Sequence, residues 1–528
     1  MAYTSLTYLL LFLGITFVIY HVVPLKRRWI VILIANLVFY LLSARYLVIF
    51  LFLSALSVYF GALGLEKYNL SYKEKKKGLE RDERKALKAL VDKKKKRLLT
   101  LVVLFNLSFI AVLKYGNFFG GLFNDLFKVL HVPAAIPFLH FLVPLGISFY
   151  TLQAISYMID VNRGKYNADH HFGRVFNYLI FFPTVTEGPI ARYDQVAASI
   201  HEGHPFNYQA FTYGLQLIMW GLFKKFVIAD RANLFVRHIF MPHSHYTGFM
   251  VLLGILFYTI QLYCDFSGGI EIVSGSAEMF GIYLPENFKQ PFFSHTINEF
   301  WRKWHITLGA WLKDYVFFSV SLSKPFQSIS KFMKAHFNQY FGRTLPVICA
   351  LFCVWTLMGL WHGASMKYVV YGLYYYILMV IGMILEPFFI KVCGLMRINR
   401  ESGWFKAFQM IRTFIVINIG MLIFRADTLS QAAHLLKSVF INFHLTHNHL
   451  LDKKIGFNAQ ELAVLLIGIA VVLIVEIIKE KGYSIRDVLA KQNLVIRWTC
   501  LLCLFVAVLV FGAYGRGYDS ISFLYGAF

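Results

Sequence analysis

Uncharged apolar runs recur along the whole chain, among them Ser5 to Tyr20, Ile30 to Leu42, Leu98 to Leu113, Leu462 to Val475 and Cys500 to Phe511. With their flanks, about eleven to thirteen segments of the roughly 20 residues with which a helix crosses bilayer hydrocarbon fit. The predicted fold is all-α, a single polytopic membrane-embedded domain over residues 1–528. Between Pro144 and Trp361 the pattern changes, because Gly, Pro, Asp, Glu, Arg and His interrupt the apolar runs repeatedly. Such residues are costly in hydrocarbon and persist where they face a cavity or the protein interior. The stretches Val143-Pro144-Leu145-Gly146, Phe181-Phe182-Pro183-Thr184 and Glu187-Gly188-Pro189-Ile190-Ala191-Arg192 predict tilted, broken or re-entrant helices and not clean spans. They put a central cavity and the functional core at 144–362, with cleaner C-terminal helices over 404–528.

Composition agrees with the bilayer as main solvent: 58% of the 528 residues are apolar, 18% aromatic and only 15% charged. The first apolar stretch has no basic residue ahead of it and no small-residue cleavage site before Pro24, so it is expected to remain as the first helix. A formal charge of +24 matters through its placement. Fourteen Lys or Arg residues lie between Lys67 and Arg97, against six acids from Glu66 to Asp92. The positive-inside rule makes this basic loop, 66–97, cytosolic, and Lys26-Arg27-Arg28 falls on the same side two crossings earlier. The N-terminus is then outside. Within the loop, Glu80 and Arg84 stand four apart, as in a surface helix, which would contact anionic headgroups or receive a cytosolic donor. The cysteine pairs Cys349 with Cys353 and Cys500 with Cys503 sit in apolar runs, where they pack and make no framework.

Two polar clusters carry candidate chemistry. The first is Asn298-Glu299-Phe300-Trp301-Arg302-Lys303-Trp304-His305, continuing to Trp311 and Tyr315. As one helix capped by Asn298, it would set Arg302, His305 and Gly309 on one side, with tryptophans as anchors. The second is Met358-Gly359-Leu360-Trp361-His362-Gly363, at the end of an apolar run. Each histidine alone fits an interfacial hydrogen-bonding role; two together favour chemistry, because a neutral buried imidazole can take a proton from an alcohol near neutral pH. Acyl transfer from a thioester to a hydroxyl needs such a base, a donor for the developing oxyanion and exclusion of water.

The ordered string Tyr263-Cys264-Asp265-Phe266-Ser267-Gly268, Met279-Phe280-Gly281, Pro285-Glu286-Asn287-Phe288, Pro291-Phe292 and Glu299 to His305 resembles the signature of the membrane-bound O-acyltransferases. It is most similar to the bacterial branch that includes the alginate O-acetylation membrane subunit and the D-alanyl transfer protein of teichoic acid. Gly146-Ile147-Ser148-Phe149-Tyr150, Gly188 to Arg192 and Leu360-Trp361-His362-Gly363 extend the likeness over nearly the whole chain, and Phe424-Arg425-Ala426-Asp427 with the last helices resembles the longer alginate type. The chain departs from that type after Tyr315, where it has Ser319 to Pro325 in place of a Pro-Leu-Gly-Gly stretch, which leaves the acceptor open. The resemblance implies that His362 is the core catalytic residue and His305 the second. Asn298, Arg302, Trp304, Trp361 and Asp265 would line the substrate pocket. It also implies a bacterial cell membrane location and no tightly bound cofactor. The donor would be an acyl thioester, on coenzyme A or a carrier protein, entering from the cytosol. A surface polymer would accept the acyl group, preferably acetyl, through an extracellular or membrane-anchored acyltransferase partner.

Other readings carry less. D-alanyl transfer toward teichoic acid is the near alternative, a transporter or flippase of a glycan precursor the distant one, since broken helices serve transport as well. A purely structural scaffold would consume no thioester. The stretch 447–452 happens to fit an HxxxxD pattern, and His444, His447 and His449 make an apparent metal cluster, but both lie in a polar loop without partner motifs. No phosphate-binding G-x-x-x-x-G-K-[ST] motif occurs, and nothing points to nucleic acid.

Overall fold

A computed structural model describes residues 1–139, 142–242, 246–336, 339–441, 443 and 457–514. The chain divides into two compact units, one of residues Met1–Gly214 and Ser276–Pro285, the other of Leu215–Gly275 and Glu286–Phe528. Among the described residues, eight helical stretches are long and apolar enough to cross a membrane: Leu25–Lys75, Arg81–Leu113, Gly248–Glu278, Gly342–His362, Met366–Leu395, Gly403–Arg425, Ala459–Glu480 and Leu494–Phe511. Leu25–Lys75 alone carries two helices, Arg28–Ala44 and Val48–Lys75, and shorter apolar helices such as Thr7–Val22 add to the long ones.

The first unit holds α1 (Leu13–Val22), α2 (Arg28–Ala44), α3 (Val48–Lys75), α4 (Arg81–Leu113), α5 (Gly116–Val129), α6 (Ile147–Arg163), α7 (Phe172–Ile180) and α8 (Tyr193–Glu202). Helices α3, α4 and α6 pack where α3 is small. A Cβ on Gly61 would lie 2.8 Å from Met158 Cε and 3.0 Å from Val102 Cγ2, too close for either. Close approach at small residues is the usual source of helix association in lipid, with interhelical polar bonds beside it. Here Asn106 Nδ2 donates to Ser57 Oγ at 2.8 Å. The basic segment is a helical hairpin, in keeping with the helix expected within it: α3 runs on to Lys75 and α4 begins at Arg81. Glu80 caps α4 reciprocally with Glu83 in place of the i,i+4 pairing with Arg84 that its spacing predicts.

Between α7 and α8 the chain runs through 181–192 without regular helix, yet every residue there is buried. Irregular backbone at such depth needs protein partners for its polar groups. Tyr3 Oη donates to the Phe182 carbonyl, Tyr178 Oη to the Ala191 carbonyl at 2.9 Å, and the Phe182 amide to Asn36 Oδ1 at 2.7 Å. Gly146, at φ +70°, has no room for a Cβ against the Val185 carbonyl. The interruptions expected from the sequence are therefore present as a buried, tyrosine-tethered excursion.

The second unit holds α9 (Tyr208–Leu222, from the residue-215 end onward), a π-helical turn at Phe223–Ala229, α10 (Asp230–Ile239), α11 (Gly248–Glu278), α12 (Ile297–Lys303), α13 (Ile306–Leu312), α14 (Phe318–Ser321), α15 (Lys324–His336), α16 (Gln339–His362), α17 (Met366–Leu395), α18 (Gly403–Arg425), α19 (Leu429–Ile441), α20 (Ala459–Glu480), α21 (Ile485–Ala490) and α22 (Leu494–Phe511). Gly221 of α9 and Gly268 of α11 cross with each Cβ position against the other's carbonyl. Helices α16 and α17 form an antiparallel hairpin in the same way: side chains at Gly359 or Gly372 would run into the carbonyls of Tyr368 and Trp355. This hairpin fixes the height of His362, the last residue of α16.

Candidate active site

The segment from Thr296 to Leu312 is not one helix. α12 is capped by Thr296, whose side chain accepts from the Glu299 amide, and not by Asn298. It stops at Lys303; Trp304 is extended, and His305 adopts the left-handed conformation at φ +48°, ψ +52°, before α13 begins. Neither residue is a helix breaker. The break is imposed by pairing with a distant strand-like stretch: Phe288 bridges Trp304, the Lys289 amide donates to the Lys303 carbonyl at 2.9 Å, and the Ile306 amide donates to the Asn287 carbonyl at 3.0 Å. The expected alignment of Arg302, His305 and Gly309 on one helical face is thereby lost.

Alternation across the break sends adjacent side chains to different surroundings. Trp304 packs among Phe288, Phe300 and Tyr263, at ring-centre distances of 5.1, 5.5 and 5.9 Å. His305, only 2% exposed, lies edge to face with Phe266 at 4.8 Å and with Trp361 at 5.3 Å. His362, equally buried, stands 5.1 Å from the Trp361 ring on its other neighbour and is enclosed by Phe424 at 5.0 Å and Tyr371 at 5.8 Å. Trp361 thus touches both imidazoles. His305 lies outside the eight candidate spans, and burial pushes its imidazole well below the ordinary value, with His362 acting in the same sense. Both effects favour the neutral form, which can accept a proton.

Of the seven residues expected at the site, His305, His362 and Trp361 come together. Trp304 belongs to the aromatic packing that holds the break in place. Asn298 and Arg302 are exposed on α12 and are not brought to the imidazoles. Asp265 is committed elsewhere: its carboxylate is 2.6 Å from Lys225 Nζ, which also pairs with Asp230 at 2.9 Å. Beside it Lys224 pairs with Glu271 at 2.6 Å and donates to Ser267 Oγ at 2.9 Å. This buried ion network, absent from the sequence reading, ties the π-helical turn to α11. Asn287, to which the sequence reading gave no role, contacts His305 directly; its 18-residue separation hides the contact. The stretch 447–452 and His444, His447 and His449 lie outside the described residues.

A buried pair of imidazoles around a shared tryptophan is suited to moving a proton where water is excluded. The model of the family described as "MBOAT, membrane-bound O-acyltransferase family" matches residues 167–424, which span both histidines. A Pseudomonas aeruginosa protein named "Probable alginate O-acetylase AlgI" is 32% identical over 443 residues, covering 83% of this chain and 75% of that one. The chain belongs to the membrane-bound O-acyltransferase family. Among further relatives of this acyltransferase, a Helicobacter pylori peptidoglycan O-acetyltransferase is 29% identical over 65% of the chain and 64% of its own length. The teichoic acid D-alanyltransferase of Bacillus subtilis is 30% identical over 53% of the chain and 68% of its own. The protein is a multi-pass membrane O-acyltransferase, and family membership displaces the transporter and scaffold readings.

Proposed function

We propose that this acyltransferase moves an acetyl group from a cytosolic thioester, on coenzyme A or a carrier protein, across the bacterial cell membrane toward hydroxyls of a surface polysaccharide. The observation that carries the reading is the pair of buried imidazoles, His305 and His362, meeting at Trp361. In the reaction the hydroxyl oxygen bonds to the thioester carbonyl carbon and the C–S bond breaks. The hydroxyl proton passes to imidazole and then to the departing thiolate. His362 serves as base or acyl relay; His305 orients the acyl carbonyl or acts as the second acid/base. The aromatic surround excludes water that would hydrolyse the thioester. Relatives named for alginate and peptidoglycan O-acetylation support a polymeric acceptor. Delivery to it falls to an extracellular or membrane-anchored acyltransferase partner, with the N-terminus outside and the α3–α4 hairpin in the cytosol.

Incubation of the purified protein with radiolabelled acetyl-CoA, and in parallel with a D-alanyl carrier protein, tests donor and acyl group. Label released or transferred from acetyl-CoA supports the reading; turnover of the D-alanyl carrier alone replaces it with the D-alanyl alternative, which the Bacillus subtilis relative supports less broadly. His362→Ala should lower turnover ~10²- to 10⁴-fold without loss of folded protein. Retention of more than about a tenth of wild-type turnover would remove His362 from the role of base.

A further inference from the structure

We infer that Asn287 fixes the tautomer of His305, placing the proton on Nδ1 and the lone pair on Nε2, so that His305 accepts a proton from the hydroxyl and does not donate to the acyl carbonyl. The inference rests on the reading that His305 belongs to the reaction centre and decides between the two roles left to it there. The Thr307 backbone N–H can only donate, and it meets the Asn287 side chain at 3.1 Å. The atom it meets is therefore the amide oxygen, which settles the orientation of the Asn287 side chain without any hydrogen being seen. That same oxygen is 3.2 Å from His305 Nδ1. An oxygen accepts, so Nδ1 carries the hydrogen, and a neutral imidazole has only one N–H. Nε2 is left as the acceptor nitrogen.

The surroundings hold this arrangement from both sides. Asn287 is 1% exposed, its oxygen also accepts from Thr307 Oγ1 at 2.8 Å, and its backbone carbonyl accepts from the Ile306 amide at 3.0 Å. The left-handed backbone of His305, uncommon outside glycine, is thus clamped by main-chain and side-chain bonds to one residue. The rings against His305, Phe266 and Trp361, are uncharged, and His362 is the titratable group whose charge acts on it. A neutral Nδ1–H imidazole cannot polarise a carbonyl through Nε2. It can take a hydroxyl proton there, and the imidazolium so formed can pass that proton to the leaving sulfur.

The test compares Asn287→Leu, which keeps the volume and removes the acceptor, with Asn287→Asp, which keeps an acceptor and adds charge, in thioester turnover across pH. Asn287→Leu should lose at least tenfold in kcat, with the donor KM little changed, since general acid–base catalysis contributes ~10²-fold or more. Asn287→Asp should stay within about tenfold of wild type at its optimum. Its acid limb should move upward by about one pH unit or more, because a carboxylate beside an imidazole favours the charged form. An Asp variant whose profile superimposes on wild type overturns the inference, as does equal activity of the two variants. Should the Leu variant fail to fold, as judged by thermal denaturation in detergent, the Asp profile alone decides. His305→Ala in the same assay separates the two layers. Full activity there sinks the site reading itself, whereas an inactive His305→Ala beside an unshifted Asp profile sinks only the tautomer.

Discussion

His305 and His362 reach one aromatic surround by different means, the first on a left-handed break between two short helices, the second on the last turn of a long one. If they serve one reaction centre, their losses should not add: the double alanine variant should turn over about as slowly as the poorer single one, and additive losses would separate binding of the donor from chemistry. Both histidines were legible in the sequence, because an imidazole in an apolar context is conspicuous by its chemistry. The contact of Asn287 and the ion pair of Asp265 were not, because each depends on a partner far along the chain. For Asp265 that partner is Lys225, which carries two buried carboxylates, and this sets an order of effects. Lys225→Met removes the cation shared by both acids and should cost about 3–5 kcal/mol, the usual scale for removing one partner of a buried pair. Asp265→Asn leaves Lys225 paired with Asp230 and should cost less. Apparent melting temperatures in detergent would check it; a reversed order would mean that Lys225 is held mainly by other contacts.

At the scale of elements, the breaks at 143–146 and 181–192 were legible because Gly and Pro announce them. The break at Trp304–His305 was not, since the local sequence there suits a helix and pairing with residues 287–289 overrides it. The α16–α17 hairpin is where an element acts on the chemistry. Because the Cβ of Gly359→Ala would meet backbone, the carbonyl of Tyr368, and not a movable side-chain tip, the helices must separate. Overpacking of this kind costs about 1–3 kcal/mol, and it would displace the turn that bears His362. The expected outcome is reduced turnover greater than the loss of folded protein. Unchanged turnover would show that the height of α16 does not set the position of His362.

At the scale of the whole molecule, hydropathy conveyed an all-helical, multi-pass protein. Apolar residues fill short helices and the buried excursion at 181–192 as readily as they fill a span. Sidedness is the testable remainder. A cysteine introduced at Lys77, on an otherwise functional background, should resist an impermeant thiol reagent in intact cells and react once the membrane is opened; strong labelling in intact cells would invert the topology. The same hairpin has a practical use. With 33 residues, α4 is ~50 Å long, against ~30 Å of hydrocarbon, so the hairpin is longer than a span requires. At its tip a Cβ placed on Gly78, at φ +85°, would meet nothing within 4 Å. A soluble domain spliced there through continuous helices would ride rigidly with the protein, giving particles otherwise hidden in a detergent belt a feature by which images could be aligned.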